Sequence, residues 1–183
     1  MNKIFYSWFL GTISNLLWFI VFLPQMYNNY KYKNSDAISL LLLMYLLLGE
    51  ILSIFSAIGK ELNIVIIYIG IYHIIMDILM IIQLLYYRIS TETVPLISQQ
   101  MVLPKLTKNE YSSIFTSLLL IVLGLIVLIT NNIVLIDIMG WVATFIFMIA
   151  RIPQIHLNYK NKSVRGLSLY SFLIIMLSTA FFF

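Results

Sequence analysis

The chain is decided by residues 24–40, PQMYNNYKYKNSDAISL, because nearly the same phrase returns at residues 153–169 as PQIHLNYKNKSVRGLSL. One offset of 129 positions, without a gap, lays Pro24, Gln25, Asn29, Tyr30, Lys31, Lys33, Ser39 and Leu40 on Pro153, Gln154, Asn158, Tyr159, Lys160, Lys162, Ser168 and Leu169. One helix earlier the same offset brings Gly11 onto Gly140. A lone Pro-Gln at a helix end carries no information, but this many identities at one offset mark a duplicated unit.

Around the two phrases the chain is apolar. Its 183 residues are 62% hydrophobic and 10% charged, with a mean hydropathy of +1.00. Runs of about twenty apolar residues, each able to cross roughly 30 Å of hydrocarbon, recur throughout. The fold class is therefore an all-α multi-pass membrane protein. The net charge of +4 comes from Lys and Arg in short loops between spans, where such charges set topology and do not point to nucleic acid. The absence of Cys excludes disulfides and thiolate metal sites. Lys3 before an apolar run resembles the start of a secretory signal, but no small-residue cleavage pattern follows, and the duplication makes this run an internal type of helix that is retained.

Six spans are expected, near 4–23, 37–58, 62–87, 113–130, 133–152 and 167–183. Pro24 and Pro153 are expected to end or bend the first and fifth, because Pro lacks an N–H and its ring clashes with the preceding turn. Residues 28–36 read as a polar loop, and 88–111, with Pro95 and Pro104, as the one sizeable linker; Asn131-Asn132 reads as a tight turn. Lys31, Lys33, Arg88, Lys105, Lys108, Arg151, Lys160, Lys162 and Arg165 fall on one side of the spans, and Lys3 and Lys60 on the other. The positive-inside rule then puts both Pro-Gln loops and the linker in the cytosol and the N-terminus outside.

Spans one and five are four crossings apart and so run parallel. Residues 1–88 read as a first three-helix repeat, 89–131 as the cytosolic linker and a linker helix, and 132–183 as a second repeat, related to the first by an axis near the membrane normal. Only two spans follow in the second repeat. A truncated sequence, a helix supplied by a partner, and a fold that tolerates the gap all remain open, and a homo-oligomer and a cytosolic partner at the linker are expected on this account.

Glu50 and Asp77 each fall near the middle of an apolar span, where a charged side chain costs roughly 2.5–3.5 kcal/mol even on lenient insertion scales. Both must face the interior of the bundle, either as neutral carboxyls bonded to another helix or as a site for a proton or a cationic substrate. His73 precedes Asp77 by four residues, so the two share a helical face and can form a proton relay. Asn15 and Tyr72 are candidates to line the pathway. Asp137 and Arg151, at opposite ends of the fifth span, read as interface charges or gate elements. Pro24 and Pro153 read as paired hinges, with the Gln25 and Gln154 amides bonding the backbone that each Pro frees. Trp8 and Trp141 fit an aromatic belt, and Ser14, Trp18 and Thr144 fit helix packing. Lys31, Lys33, Lys160 and Lys162 are topology anchors first and contacts for anionic lipid second. No ligand set specifies a metal, no cofactor is implied, and no nucleophile constellation or phosphate loop suggests an enzyme.

Parallel three-helix units, one linker helix and a Pro-Gln at the cytosolic end of each unit's first helix resemble the PQ-loop family of membrane transporters. That family includes the SWEET sugar carriers, the lysosomal cystine exporter, and vacuolar and lysosomal exporters of cationic amino acids. The last branch is the most similar, at residues 18–25 (WFIVFLPQ), Gly49-Glu50, Asp77, 83–87 (QLLYY), 151–155 (RIPQI), and 158–160 (NYK) leading to 166–168 (GLS). Two departures stand out: the branch usually has Asp where this chain has Glu50, and it carries a seventh helix. The resemblance implies a carrier of a small solute, with cationic amino acids (Arg, Lys, His) favoured, working by alternating access between the two units, hinged at the prolines, with Glu50 and Asp77 meeting the substrate or exchanging a proton. It implies a lysosomal or vacuolar membrane, and a bacterial cell membrane is the alternative. A sugar carrier of the SWEET type and a non-transporting receptor or scaffold are the rival readings, the first weakened by two buried carboxyls.

Overall fold

A computed structural model describes residues 3–33, 37–91, 106–162, 164 and 167–182, and every regular element among them is a helix. These are α1 Lys3–Ile20, α2 Leu23–Tyr32, α3 Leu40–Gly59, α4 Ile64–Thr91, α5 Lys108–Thr130, α6 Ile133–Asn161 and α7 Leu169–Phe182. Among the described residues five stretches are long and apolar enough to cross a membrane: Phe9–Tyr32, which joins α1 to α2, then Leu40–Gly59, Ile64–Arg88, Lys108–Thr130 and Ile133–Asn161. α7 is a shorter apolar helix of 14 residues, roughly 21 Å long at the α-helical rise. The chain is an all-α multi-pass membrane protein. Side chains such as Phe115 and Ile129, 71% and 82% exposed, have no place in water and face acyl chains.

Local chemistry sets the helix ends. The Ser39 hydroxyl accepts from the Leu42 N–H at the start of α3. Thr107 and Glu110 form a capping box at the start of α5, each side chain accepting from the other's backbone N–H. At the expected turn, Asn131 closes α5 in the left-handed region, and the Asn132 side chain accepts from the Val134 and Leu135 amides to open α6. Lys33 and Lys162, aligned by the 129-residue offset, close α2 and α6 with φ of 51° and 45°. Side chains with a Cβ adopt this conformation at a cost.

The two prolines sit in different settings, one at a break between helices and one inside a helix. α2 runs on through residues read as a loop to Tyr32, and α6 runs on to Asn161, about two turns past each Pro. Pro24 sits in the first turn of α2, after a two-residue break at Val21 and Phe22, where its missing N–H is not needed. Pro153 lies inside an unbroken α6. A Pro removes only one bond of the ladder, and the residues beyond it resume helical pairing. α4 likewise extends to Thr91 and α5 begins at Lys108, both inside the stretch read as the linker; Pro95 and Pro104 lie outside the described residues, as does the Trp8 side chain.

The helices form two compact units, one of α1, α2 and α7 and the other of α3 to α6. In the first, α1 lies on α7; the fully buried Ser14 hydroxyl donates to the Ser178 carbonyl at 2.8 Å, and Ser178 donates back into its own helix at Ile174. In the second, α3 is the hub against α4, α5 and α6. Leu48 and Leu52 of α3 with Met139 and Ala143 of α6 form the buried core, flanked by Leu120 and Ile121 of α5. Small residues let the backbones close up, as helix packing in lipid requires. A Cβ on Gly49 would come within 2.7 Å of the Phe147 ring, and one on Gly140 within 2.7 Å of the Ser56 hydroxyl, which donates to the Ile136 carbonyl at 3.1 Å.

The aligned glycines therefore differ. A Cβ on Gly11 would meet nothing within 4 Å. Gly11→Ala is expected to leave thermal stability in detergent unchanged or raised by about 0.5–1 kcal/mol, the helix preference for Ala over Gly. Gly140→Ala is expected to lower it, since the added methyl displaces Ser56 from its hydrogen bond. Melting curves of the two variants against the parent check this; equal shifts would mean that α3 and α6 do not approach this closely.

Candidate functional site

The residues of the duplicated phrase meet in two places with the same bonding pattern. In the first unit, the Gln25 side-chain oxygen accepts from the Ser168 backbone N–H at 2.7 Å, and the Gln25 amide nitrogen donates to Asn29 Oδ1 at 2.9 Å. In the second unit, the Gln154 oxygen accepts from the Ser39 N–H at 2.9 Å, and its nitrogen donates to Asn158 Oδ1 at 2.9 Å and to the Ala37 carbonyl at 2.7 Å. Each Ser hydroxyl then accepts from the amide three residues on, Leu42 in one case and Ser171 in the other. The Gln of each copy is thus clamped to the helix that starts with the Ser-Leu of the other copy.

Helix geometry explains the choice. Gln25 and Asn29, like Gln154 and Asn158, are separated by one helical turn, so the Asn holds the Gln amide in one rotamer with its oxygen pointing away from the helix. The first amides of a helix have no partner within the helix, and in a poorly hydrated setting each must find one. Gln25, Asn29, Gln154 and Ser168 are 7%, 1%, 6% and 1% exposed. The bonds of Gln154 replace the expected one: both of its N–H donors are taken by Asn158 and Ala37, so the amide does not serve the backbone freed by Pro153. Sequence reasoning noted Ser39 and Ser168 as matches without giving them a role. Their recurrence at the same offset as the glutamines was the signal.

A second cluster lies halfway along α3 and α4. Glu50 Oε1 and His73 Nδ1 are 3.1 Å apart, with side chains 19% and 8% exposed. Asp77, one turn further along α4, is 1% exposed, and neither carboxyl oxygen has a hydrogen-bond partner among the described residues. Gly70 permits this: a Cβ there would come within 2.7 Å of Ile54 and 3.9 Å of Glu50 Oε2, so only a glycine lets α4 approach the Glu50 side of α3. The Tyr72 ring lies 5.8 Å from the His73 ring, tilted by 54°. His73 reaches across to α3, not down its own helix to Asp77 as i, i+4 spacing suggested. The helices bring Glu50, His73, Tyr72 and Asp77 together; Asn15 lies half-buried on α1 in the other unit.

Charges at the helix ends complete the picture. Asp137 pairs with Lys60 at 2.6 Å, the two side chains 55% and 31% exposed; an ion pair so open is worth at most about 1 kcal/mol. Arg151 is exposed on α6. Arg88, near the end of α4, bonds the nearly buried Glu110 of the α5 capping box at 3.1 Å. No group of His, Asp and Glu with the geometry of a metal site occurs among the described residues.

A multi-pass helical bundle with twin Pro-Gln clamps and carboxyl groups midway along its spans belongs to the class of polytopic membrane proteins built on duplicated helix units. The model of the PQ loop repeat matches residues 6–66 and 135–183, and the chain belongs to this PQ-loop family. It is similar to two curated proteins of Saccharomyces cerevisiae (strain ATCC 204508 / S288c). The vacuolar lysine transporter YPQ1 is 34% identical over 87 residues, 48% of this chain and 28% of the relative. The vacuolar histidine transporter YPQ3 is 32% identical over 77 residues, 42% of this chain and 26% of the relative. The matched segments thus span little more than a quarter of those relatives.

Replacing Gln154 by Leu is expected to destabilise the protein by about 1–3 kcal/mol, the cost of leaving a poorly solvated donor and acceptor unpaired. Among the described residues the Asn158 side chain bonds that amide alone, so Asn158→Ala in the Gln154→Leu background is expected to add almost nothing. Additive losses in a double-mutant cycle of detergent melting curves would mean the Asn acts independently.

Proposed function

We propose that this chain is a transporter that carries a cationic amino acid across a vacuolar or lysosomal membrane by alternating access, with coupling to protons. The observation that carries the reading is the placement of two carboxyl groups midway along adjacent spans, one paired with His73 and the other buried without a hydrogen-bond partner among the described residues. A carboxylate in that position is costly unless a cation or a proton accompanies it. A lysine or arginine side chain, or the α-ammonium group of an amino acid, supplies the missing charge; a proton does the same when the substrate leaves. The names of the two yeast relatives, transporters of lysine and histidine, support the substrate class and the membrane.

In this reading Glu50 and Asp77 hold positive charge, and His73 passes a proton to or from Glu50 through the 3.1 Å contact. Tyr72 and Asn15 contribute polar groups to the pathway. Pro24 and Pro153 are the bends about which the two repeats, residues 1–88 and 132–183, change their tilt, and Asp137 and Arg151 act at the ends of α6 as gate charges. The two glutamine clamps keep each bend attached to the helix start it caps.

Uptake of labelled lysine and arginine into proteoliposomes with an imposed proton gradient tests the proposal. The parent should accumulate both. Glu50→Gln and Asp77→Asn should each lose about tenfold or more of the rate, the worth of a charge-assisted contact, and Glu50→Asp, which keeps the charge and matches the residue usual in related carriers, should retain part of it. Undiminished uptake by both neutral variants would remove the roles given to these groups, and absence of flux with retained lysine binding would select a receptor.

A further inference from the structure

At the end of the second unit that carries most of the basic residues, a cavity of about 410 Å³ opens where α3 begins, α4 and α6 end and α5 begins. This volume falls within the roughly 300–1,000 Å³ typical of small-molecule sites. Its charged lining is unbalanced. Arg88 and Glu110 pair with each other at 3.1 Å, so their charges cancel. Lys160 and His156, one turn apart on α6, line the same cavity and make no hydrogen bond or ion pair among the described residues. The Leu40 and Leu41 residues of the first turn of α3 complete the polar side, where a helix presents unpartnered amides and the positive end of its dipole. Apolar Ile38, Pro153 and Leu157 form the other wall.

We propose that this cavity binds the phosphate of an anionic amphiphile. Lys160 supplies a point charge and three donors, His156 a ring N–H and the start of α3 backbone amides, while the apolar wall accepts the adjoining hydrocarbon. Lys160 and His156 are exposed at the mouth of the cavity, so a neutral solute gains nothing from the lysine charge and a cationic one is repelled. Basic pockets between spans at a membrane surface are suited to phosphate headgroups. The site is separate from Glu50, His73 and Asp77, which lie half a helix away along α3 and α4 and do not line it. It touches Ser39 and Pro153 on either side of the Gln154 clamp, so an occupant braces that clamp.

Native mass spectrometry of the detergent-solubilised full chain, titrated with phosphatidylinositol 4-phosphate and with phosphatidylcholine, reads the proposal directly. The phosphorylated lipid should bind in preference, and Lys160→Gln should weaken it about fivefold, the worth of one lysine near an anionic headgroup. His156→Gln should weaken it in the same direction, and Lys160→Arg should retain it. Lys60→Gln, at the opposite end of α3 from the cavity, should leave it unchanged. Inorganic phosphate or a soluble inositol phosphate that binds and competes assigns the site to the free anion; failure to compete assigns it to the lipid. Equal binding of the two lipids, or equal loss in Lys60→Gln and Lys160→Gln, would overturn the proposal as general surface attraction. Melting curves identify any variant that has lost its fold, and Lys160→Arg and His156→Gln then decide between the outcomes.

Discussion

The structure depends on a constraint that burial imposes on helix starts. The first amides of a helix have no internal partner, and a start enclosed by other side chains has no water to replace one. At Ser39 and Ser168 a glutamine from a distant part of the chain accepts from that amide. The donor and the acceptor come from opposite copies of the duplicated phrase, so neither copy can satisfy itself. This exchange accounts for the presence of Pro-Gln and Ser-Leu within one recurring phrase. It also explains the Asn one turn after each Gln, which fixes the amide so that its oxygen faces outward.

The same logic reaches the middle of the second unit. α3 is held at its start by Gln154 and along its length by close contact with α6 through Gly49 and Gly140, and with α4 through Gly70. With the backbones this near, Glu50 and His73 are brought to 3.1 Å and Asp77 is enclosed. Small residues thus do two jobs, packing the helices and setting the distance between ionisable groups. The ion pair at the helix ends between Lys60 and Asp137 is more exposed and contributes less to cohesion.

Much of this was legible from the residues. Apolar runs gave the class and nearly all the spans, the 129-residue offset marked the motif, and the rarity of charge in the spans singled out Glu50 and Asp77. What escaped was long-range. A Pro read locally suggests a helix end, yet α6 runs through Pro153 to Asn161 because one lost donor does not stop the ladder, and at Pro24 the chain breaks just before the Pro and starts a new helix that reaches Tyr32. A Gln beside a Pro suggests repair of the neighbouring backbone, whereas the partners of Gln154 lie more than a hundred residues away, at Ala37 and Ser39. His73 suggested Asp77 by spacing, but the approach that Gly70 allows gives its Nδ1 to Glu50. Local spacing carries no information about which helix lies opposite, and that choice decides all three.

The pairing of α3 with α6, one from each copy, is the claim on which the exchange rests, and cysteine cross-linking tests it most directly. The chain has no cysteine of its own, and a Cβ built on Gly140 would lie 3.5 Å from the Ser56 Cβ, within the span of a disulfide. Ser56→Cys with Gly140→Cys should form an intramolecular disulfide in membranes under mild oxidation, seen as a mobility shift that reductant reverses and that either single variant lacks. A double variant that stays reduced, while remaining folded, would contradict the pairing and with it the account of the twin clamps.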